Sequence, residues 1–220
     1  MAWYFWGVKL GKQDFIDAGV RFIGIKGMSG SGKTTASLVM RDYFKKSILL
    51  PRDYYTMIAL VNNTKLANKL FGRTFNNVQE AVEAVMRIES VDKFRKHITE
   101  TIPEVEELIH HDLCSILNQN YTPNLIITEG IAYSAYDRIW GLATDKLTTI
   151  RAPKKRAKSL ILREGRNTSP MRTAALFDLE QDGEQGTILT NNGKLISFEK
   201  KIIQFCKTID VPSRTLVGGE

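Results

Sequence analysis

Residues 27–34 read Gly-Met-Ser-Gly-Ser-Gly-Lys-Thr, which satisfies the spacing G-x-x-x-x-G-K-[ST]. The residues before it, Arg21-Phe22-Ile23-Gly24-Ile25-Lys26, have the character of a strand, and those after it, Thr35-Ala36-Ser37-Leu38-Val39-Met40, of a helix. A strand, a glycine-rich turn and a helix in that order form a cradle for a polyphosphate. Gly27, Gly30 and Gly32 let backbone N–H groups turn inward, and the helix start adds its partial positive charge. Lys33 is expected to reach the β- and γ-phosphates, and the Thr34 hydroxyl to hold Mg²⁺. Ser29, Ser31 and Thr35 complete the expected nucleotide-binding set. A plain Gly/Ser turn would not require a Lys-Thr pair at this position. ATP and Mg²⁺ are therefore the expected ligands.

The chain has 220 residues, enough for one α/β domain with a generous core. No apolar run is long enough to span a membrane. The N-terminal Met1-Ala2-Trp3-Tyr4-Phe5-Trp6 is apolar but has no preceding basic segment, so it does not read as a signal peptide. Cys114 and Cys206 lie in apolar helical patterns, as buried free thiols of a reducing compartment do. A cytoplasmic location is expected. The formal net charge of +7 suits polyanionic ligands, either nucleotides or nucleic acid.

Short apolar runs at 21–26, 47–52, 124–128, 147–151 and 187–190 predict five strands, separated by helical patterns. That alternation predicts a central five-stranded parallel sheet flanked by helices. Residues 1–20 are set apart as an N-terminal aromatic arm, 21–206 as the main domain and 207–220 as a C-terminal tail. The second and third strands are too far apart for a simple crossover. The stretch at about 56–121 reads as a helical insertion. Asn76 or Asn77 is expected to cap one of its helices, and Pro103 to open another at its first helical position. His110 and His111 read as surface or rim residues. Tyr54, Tyr55 and Trp140 are candidate stacking surfaces for a base, with core packing as the alternative.

The motif order resembles P-loop nucleoside and nucleotide kinases. Ile127-Thr128-Glu129-Gly130-Ile131 is similar to the segment that ends the Mg²⁺-side strand of uridine kinases. Thr190-Asn191-Asn192-Gly193 and the helix after it resemble the tail of dephospho-coenzyme A kinases and phage deoxynucleotide kinases. Pro51-Arg52-Asp53-Tyr54-Tyr55 resembles uridine kinases through Asp-x-Tyr and polynucleotide 5′-kinases through Arg-Asp-x-Tyr. The resemblance implies a P-loop kinase fold, with the insertion binding the acceptor. It implies Asp53 as the base that takes the proton of the attacking hydroxyl, and Glu129 beside Thr34 on the metal. It also implies Asn192 near the adenine, and Arg52, Tyr54 and Tyr55 on the acceptor side.

Residues 151–172 carry eight cationic side chains against one acid, Glu164. The segment is expected to form a lid over the donor phosphates, with Arg163 and Arg166 stabilising the charge that develops in transfer. Two acceptors stay open. One is a free nucleoside or nucleotide. The other is a hydroxyl on nucleic acid, as in phage kinases acting on 5-hydroxymethyluracil in DNA, which would place the protein in a host cytoplasm. A nucleotide-dependent binding protein is a third, minor alternative, since no Asn-Lys-x-Asp or Asp-x-x-Gly element is present.

Overall fold

The computed structural model describes residues 10–88, 90–119, 123–130, 136–164 and 186–209, without the side chains of 91, 137, 161, 163 and 164. The aromatic arm up to residue 9, Ile131, Arg166, Arg172 and the tail from 210 lie outside the described residues.

Five strands form one sheet, β1 (Arg21–Lys26), β2 (Ser47–Pro51), β3 (Leu125–Gly130), β4 (Asp145–Ile150) and β5 (Thr187–Thr190). Their order is β2-β3-β1-β4-β5, and every pairing is parallel. All five runs expected from the sequence are strands. The second ends at Pro51, because Arg52 already begins a helix.

Side chains alternate between the two faces of the sheet. Phe22 and its register partner Ile126 face one way, with Leu50 beside them. They are covered by Phe15 of α1 (Lys12–Asp17), by Val105, Ile109 and Leu113 of α6 (Val91–Leu117), and by Ile139 and Trp140 of α7 (Asp137–Leu142). Ile23, Ile25, Leu125, Ile127 and Leu147 face the other way. Ala36 and Met40 of α2 (Lys33–Tyr43) and Phe198 and Ile202 of α9 (Leu195–Thr208) cover them. Burial on both faces is why β1 and β3 read as nearly unbroken apolar runs. Each such side chain contributes about 1.5–3 kcal/mol on burial.

Between β2 and β3 stand α3 (Arg52–Asn62), α4 (Thr64–Phe71), α5 (Val78–Met86) and α6. They share a separate small core that includes Leu60, Ala67, Phe75, Ala81 and Ile98. Asn77, not Asn76, caps α5: its Oδ1 accepts from the N–H of Glu80 at 2.9 Å, and Glu80 accepts in return from the N–H of Asn76.

Pro103 does not open a helix. It lies inside α6, which starts after Ser90, whose hydroxyl accepts from the N–H of Lys93. Proline has no N–H for the carbonyl four residues back and costs about 3 kcal/mol in a helix interior. Here the buried stripe of Phe94, Ile98, Thr101, Val105, Ile109, Leu113 and Ile116 continues in phase through Pro103. That packing outweighs the proline.

His110 is also not a surface residue. It is buried, 3.7 Å from the Cys114 sulfur, while His111 is exposed. Both cysteines are free. Cys206 is buried and Cys114 only partly so. Trp140 packs in the core against Gly24, where a methyl group would approach its ring to 2.7 Å, and so offers no stacking platform. Among the described residues no helix is long and apolar enough to cross a membrane.

Candidate active site

A cavity of about 680 Å³ opens at the carboxyl edge of the sheet. Side chains following all five strands reach it: Lys33 after β1, Asp53 after β2, Glu129 at the end of β3, Arg151 after β4 and Asn191 after β5. This is where an open parallel sheet places ligands, because each strand delivers its next loop to the same edge.

The 27–34 loop forms one wall. Gly27, Gly30 and Gly32 take φ values of 149°, 77° and 110°, a region that side-chain-bearing residues rarely adopt. Gly32 is also sterically constrained, since a methyl group there would come within 2.6 Å of Asn191 Nδ2 and 2.7 Å of Phe198. Ser29, Gly30, Gly32, Lys33, Thr34 and Thr35 line the cavity. Ser31 points away from it and holds the loop to the sheet through its hydroxyl, 2.7 Å from that of Thr149. The Lys33 ammonium donates to the carbonyls of Gly27 and, at 3.0 Å, Met28. The loop itself thus keeps this buried cation partnered and in place.

Thr34 and Glu129 meet across the cavity floor. The Thr34 hydroxyl donates to both carboxylate oxygens of Glu129, at 3.0 and 3.3 Å. Burial pushes the Glu129 carboxyl above the usual carboxylate range, and Lys33 and the Thr34 hydroxyl oppose that shift only in part. A half-buried carboxylate beside a hydroxyl is a hard oxygen donor set of the kind Mg²⁺ prefers.

Arg52 and Asp53 begin α3. Arg52 is buried, donates to Asp53, and donates through Nη1 to the Tyr136 hydroxyl at 3.2 Å. Burial alone would lower its pKa, but the Asp53 carboxylate and Tyr136 outweigh it and keep the guanidinium charged. Asp53 is the reverse case. The surrounding protein desolvates it, which would raise its pKa, yet Arg52 and then Lys33 hold it below the ordinary carboxylate range. The carboxylate itself opens into the cavity, with 71% of the side chain accessible. Tyr54 lines the same wall and is half exposed. Tyr55 does not line it. Its ring is in the core and its hydroxyl donates to Asp112 at 2.6 Å, because the next position on α3 turns toward α6.

The basic segment divides by helical phase. Arg151 lines the cavity and donates through Nη1 to Ser159 Oγ at 2.7 Å and to the Gly30 carbonyl at 3.5 Å. Arg156, on α8 (Pro153–Glu164), is buried against Gly30. Lys154, Lys155 and Lys158 are exposed. Arg163 has its backbone in α8 but its side chain, like all of Arg166, lies outside the described residues.

Asn191 rather than Asn192 touches the phosphate loop. It is buried, and its Nδ2 donates to the Ser31 carbonyl at 3.0 Å. The Asn192 side chain instead accepts from the N–H of Ala152 at 2.7 Å.

Asn191 was visible in the sequence only as part of the Thr190-Asn191-Asn192-Gly193 motif, and His97 carried no distinguishing signal. His97 lies on α6, lines the cavity and is 3% exposed. Its Nδ1 is buried without a hydrogen-bond partner. The only hint was its position between Phe94 and Ile98, on the buried stripe of the helix.

No protein-family profile and no curated protein sequence matches this chain. Solved structures do match. TT1252 from Thermus thermophilus aligns over 86% of this chain and 97% of its own, with 20% identity and a TM-score of 0.58. A gluconokinase from Sinorhizobium meliloti 1021 aligns over 85% of this chain and 91% of its own, with 13% identity and a TM-score of 0.51. At these identities the likeness is one of fold. The five-stranded parallel sheet with flanking helices is the P-loop kinase fold.

Proposed function

We propose that the protein is an ATP- and Mg²⁺-dependent kinase acting on a nucleoside or nucleotide. One observation carries the reading: Lys33, Thr34, Glu129 and Asp53 line a single cavity at the carboxyl edge of the sheet. Fold alone would not support it, since one fold hosts many activities.

The loop N–H groups and Lys33 suit the phosphates of a nucleotide, and Arg151 adds positive charge beside the loop, at the Gly30 carbonyl. Thr34 and Glu129 suit Mg²⁺, which keeps several waters and needs few protein ligands. When bound, the nucleotide supplies the phosphoryl group and the metal screens its charge. Asp53 takes the proton of the attacking hydroxyl. Its low pKa is no obstacle, because little covalent chemistry falls to the protein in phosphoryl transfer and the main demand is positioning. Arg52 acts through Asp53, fixing the direction of its carboxylate.

The exposed lysines of α8 favour a second acceptor, a hydroxyl carried on nucleic acid. The deciding experiment incubates the protein with γ-labelled ATP and Mg²⁺, against a panel of nucleosides and nucleotides and against DNA with and without hydroxymethylated bases. Label on a free nucleoside or nucleotide supports the first reading, and label on DNA the second. ATP binding without transfer to any acceptor would refute the kinase reading and leave a nucleotide-dependent binding protein.

A further inference from the structure

The half of the cavity distant from the phosphate loop has an unusual chemistry for a site that must hold a hydroxylated acceptor. Its walls are Val78, Val82, Val85 and Met86 of α5 and Phe94 and Ile98 of α6. Apolar walls cannot repay the desolvation of a sugar or polyol, whose every hydroxyl needs a partner. They suit a flat ring, whose faces are apolar and whose polar atoms lie only at the edge.

His97 sits among these residues. It is 3% exposed, and its orientation is set by Phe71, edge-on with centroids 5.7 Å apart, and by Phe94 at 6.2 Å. The Thr101 hydroxyl does not bond the His97 ring and instead donates to the His97 carbonyl at 2.9 Å. A buried polar atom without a partner is uncommon in a native protein and costs free energy unless a ligand or water completes it. Phe71 and Phe94 would pack equally well against a phenylalanine here.

We propose that His97 is a specificity-determining residue of the acceptor site, whose imidazole hydrogen-bonds the polar edge of a heteroaromatic ring carried by the acceptor. The assignment rests on the kinase reading, in which the Asp53 side of the cavity receives the acceptor. It separates this chamber from one built for a polyol. The ring belongs either to a free nucleoside or to an unstacked base of a nucleic acid strand.

The test is calorimetric binding in the presence of Mg²⁺ and a non-hydrolysable ATP analogue. Uridine, thymidine, adenosine and a short single-stranded oligonucleotide are the ring-bearing probes, and gluconate and ribitol the polyols. At least one ring-bearing probe binds the unmodified protein, and neither polyol does. Nucleoside against oligonucleotide identifies which source supplies the ring. His97→Phe weakens that probe roughly tenfold or more, leaves the affinity for the ATP analogue unchanged, and His97→Gln recovers part of the loss. If the Phe variant fails to fold, His97→Leu is read by the same criterion. A polyol that binds better than every ring, or a folded apolar variant that binds the ring as the unmodified protein does, overturns the assignment. So does ATP-analogue binding with no binding of any ring, an outcome that leaves the kinase reading standing. Failure to bind the ATP analogue at all would instead remove the kinase reading and this assignment with it.

Discussion

The Thr34 hydroxyl lies 3.0 Å from Glu129 Oε1, so residues 95 positions apart join the start of α2 to the end of β3. The contact places a side chain of the phosphate loop's helix against a half-buried carboxylate. The proposed Mg²⁺ site rests on these two oxygen donors.

Glu129→Gln is expected to separate activity from stability. The folded protein raises this carboxyl, so its ionisation opposes folding: the stability present at low pH is lost as pH rises through the folded value. Removing the charge should raise the melting temperature at pH 7 while Mg²⁺-dependent turnover falls by roughly tenfold or more. Parallel melting and turnover measurements check this. A variant that melts lower and turns over normally would place Glu129 outside the metal site.

Asp53→Asn keeps the shape but cannot take a proton. Turnover should fall by roughly 10²–10⁴-fold with little change in ATP affinity. The pH dependence has the opposite sign to that of Glu129. Because Asp53 is held low, its contribution is present above the unfolded value and is lost as pH falls through the folded one. The variant should lack that acid-side loss in a pH series of melting curves. Weakened ATP binding with unchanged turnover per bound enzyme would make Asp53 structural.

Lys33→Ala removes the cation held by the Gly27 and Met28 carbonyls. Phosphotransfer should fall by at least roughly 10²-fold, with ATP affinity reduced as well. Near-normal turnover would contradict the nucleotide site. Isothermal titration with ATP alongside the turnover assay distinguishes the two effects.

His97 is pushed down to about 4 from the ordinary imidazole value of 6.5, first by burial and then by Arg52, with Asp53 opposing. The unfolded chain therefore binds an extra proton between those values, and stability drops as pH falls across that window. The loss amounts to roughly 3 kcal/mol. Chemical denaturation at pH 7 and pH 4.5 should show this loss for the unmodified protein and much less of it for His97→Phe. Equal losses would mean His97 is already protonated in the fold.

Asn191→Ala deletes the amide that bonds the Ser31 carbonyl. The carbonyl is left unpaired inside the protein, which costs about 1–3 kcal/mol. The KM for ATP should rise by several-fold with kcat little changed. The same substitution at Asn192 should have a smaller effect on the KM for ATP, because that side chain bonds the backbone of Ala152 instead.

Local rules made the sheet and the phosphate loop legible from sequence. A parallel strand covered on both faces must be an apolar run, so β1 and β3 were visible as such. A loop that wraps phosphates needs glycine at positive φ and a Lys-Thr pair at the helix start, so residues 27–34 identified themselves. Asp53 and Glu129 were singled out by the resemblance, and both lie at strand ends, where parallel strands deliver their next residues to a common edge. The rest depended on long-range packing. Pro103 is a helix breaker by local chemistry, and only the packing of α6, in the insertion core before it and against the sheet after it, carries the helix through. Tyr54 and Tyr55, and Asn191 and Asn192, are neighbours of like type, and only the direction each side chain takes in the folded chain puts Tyr54 and Asn191 at the cavity, Tyr55 in the core and Asn192 on the surface. His97 had no motif at all. Its role in the site arises because α3, α5 and α6 close an apolar chamber around it, and a histidine's surroundings, not its spacing, determine what its ring can bind.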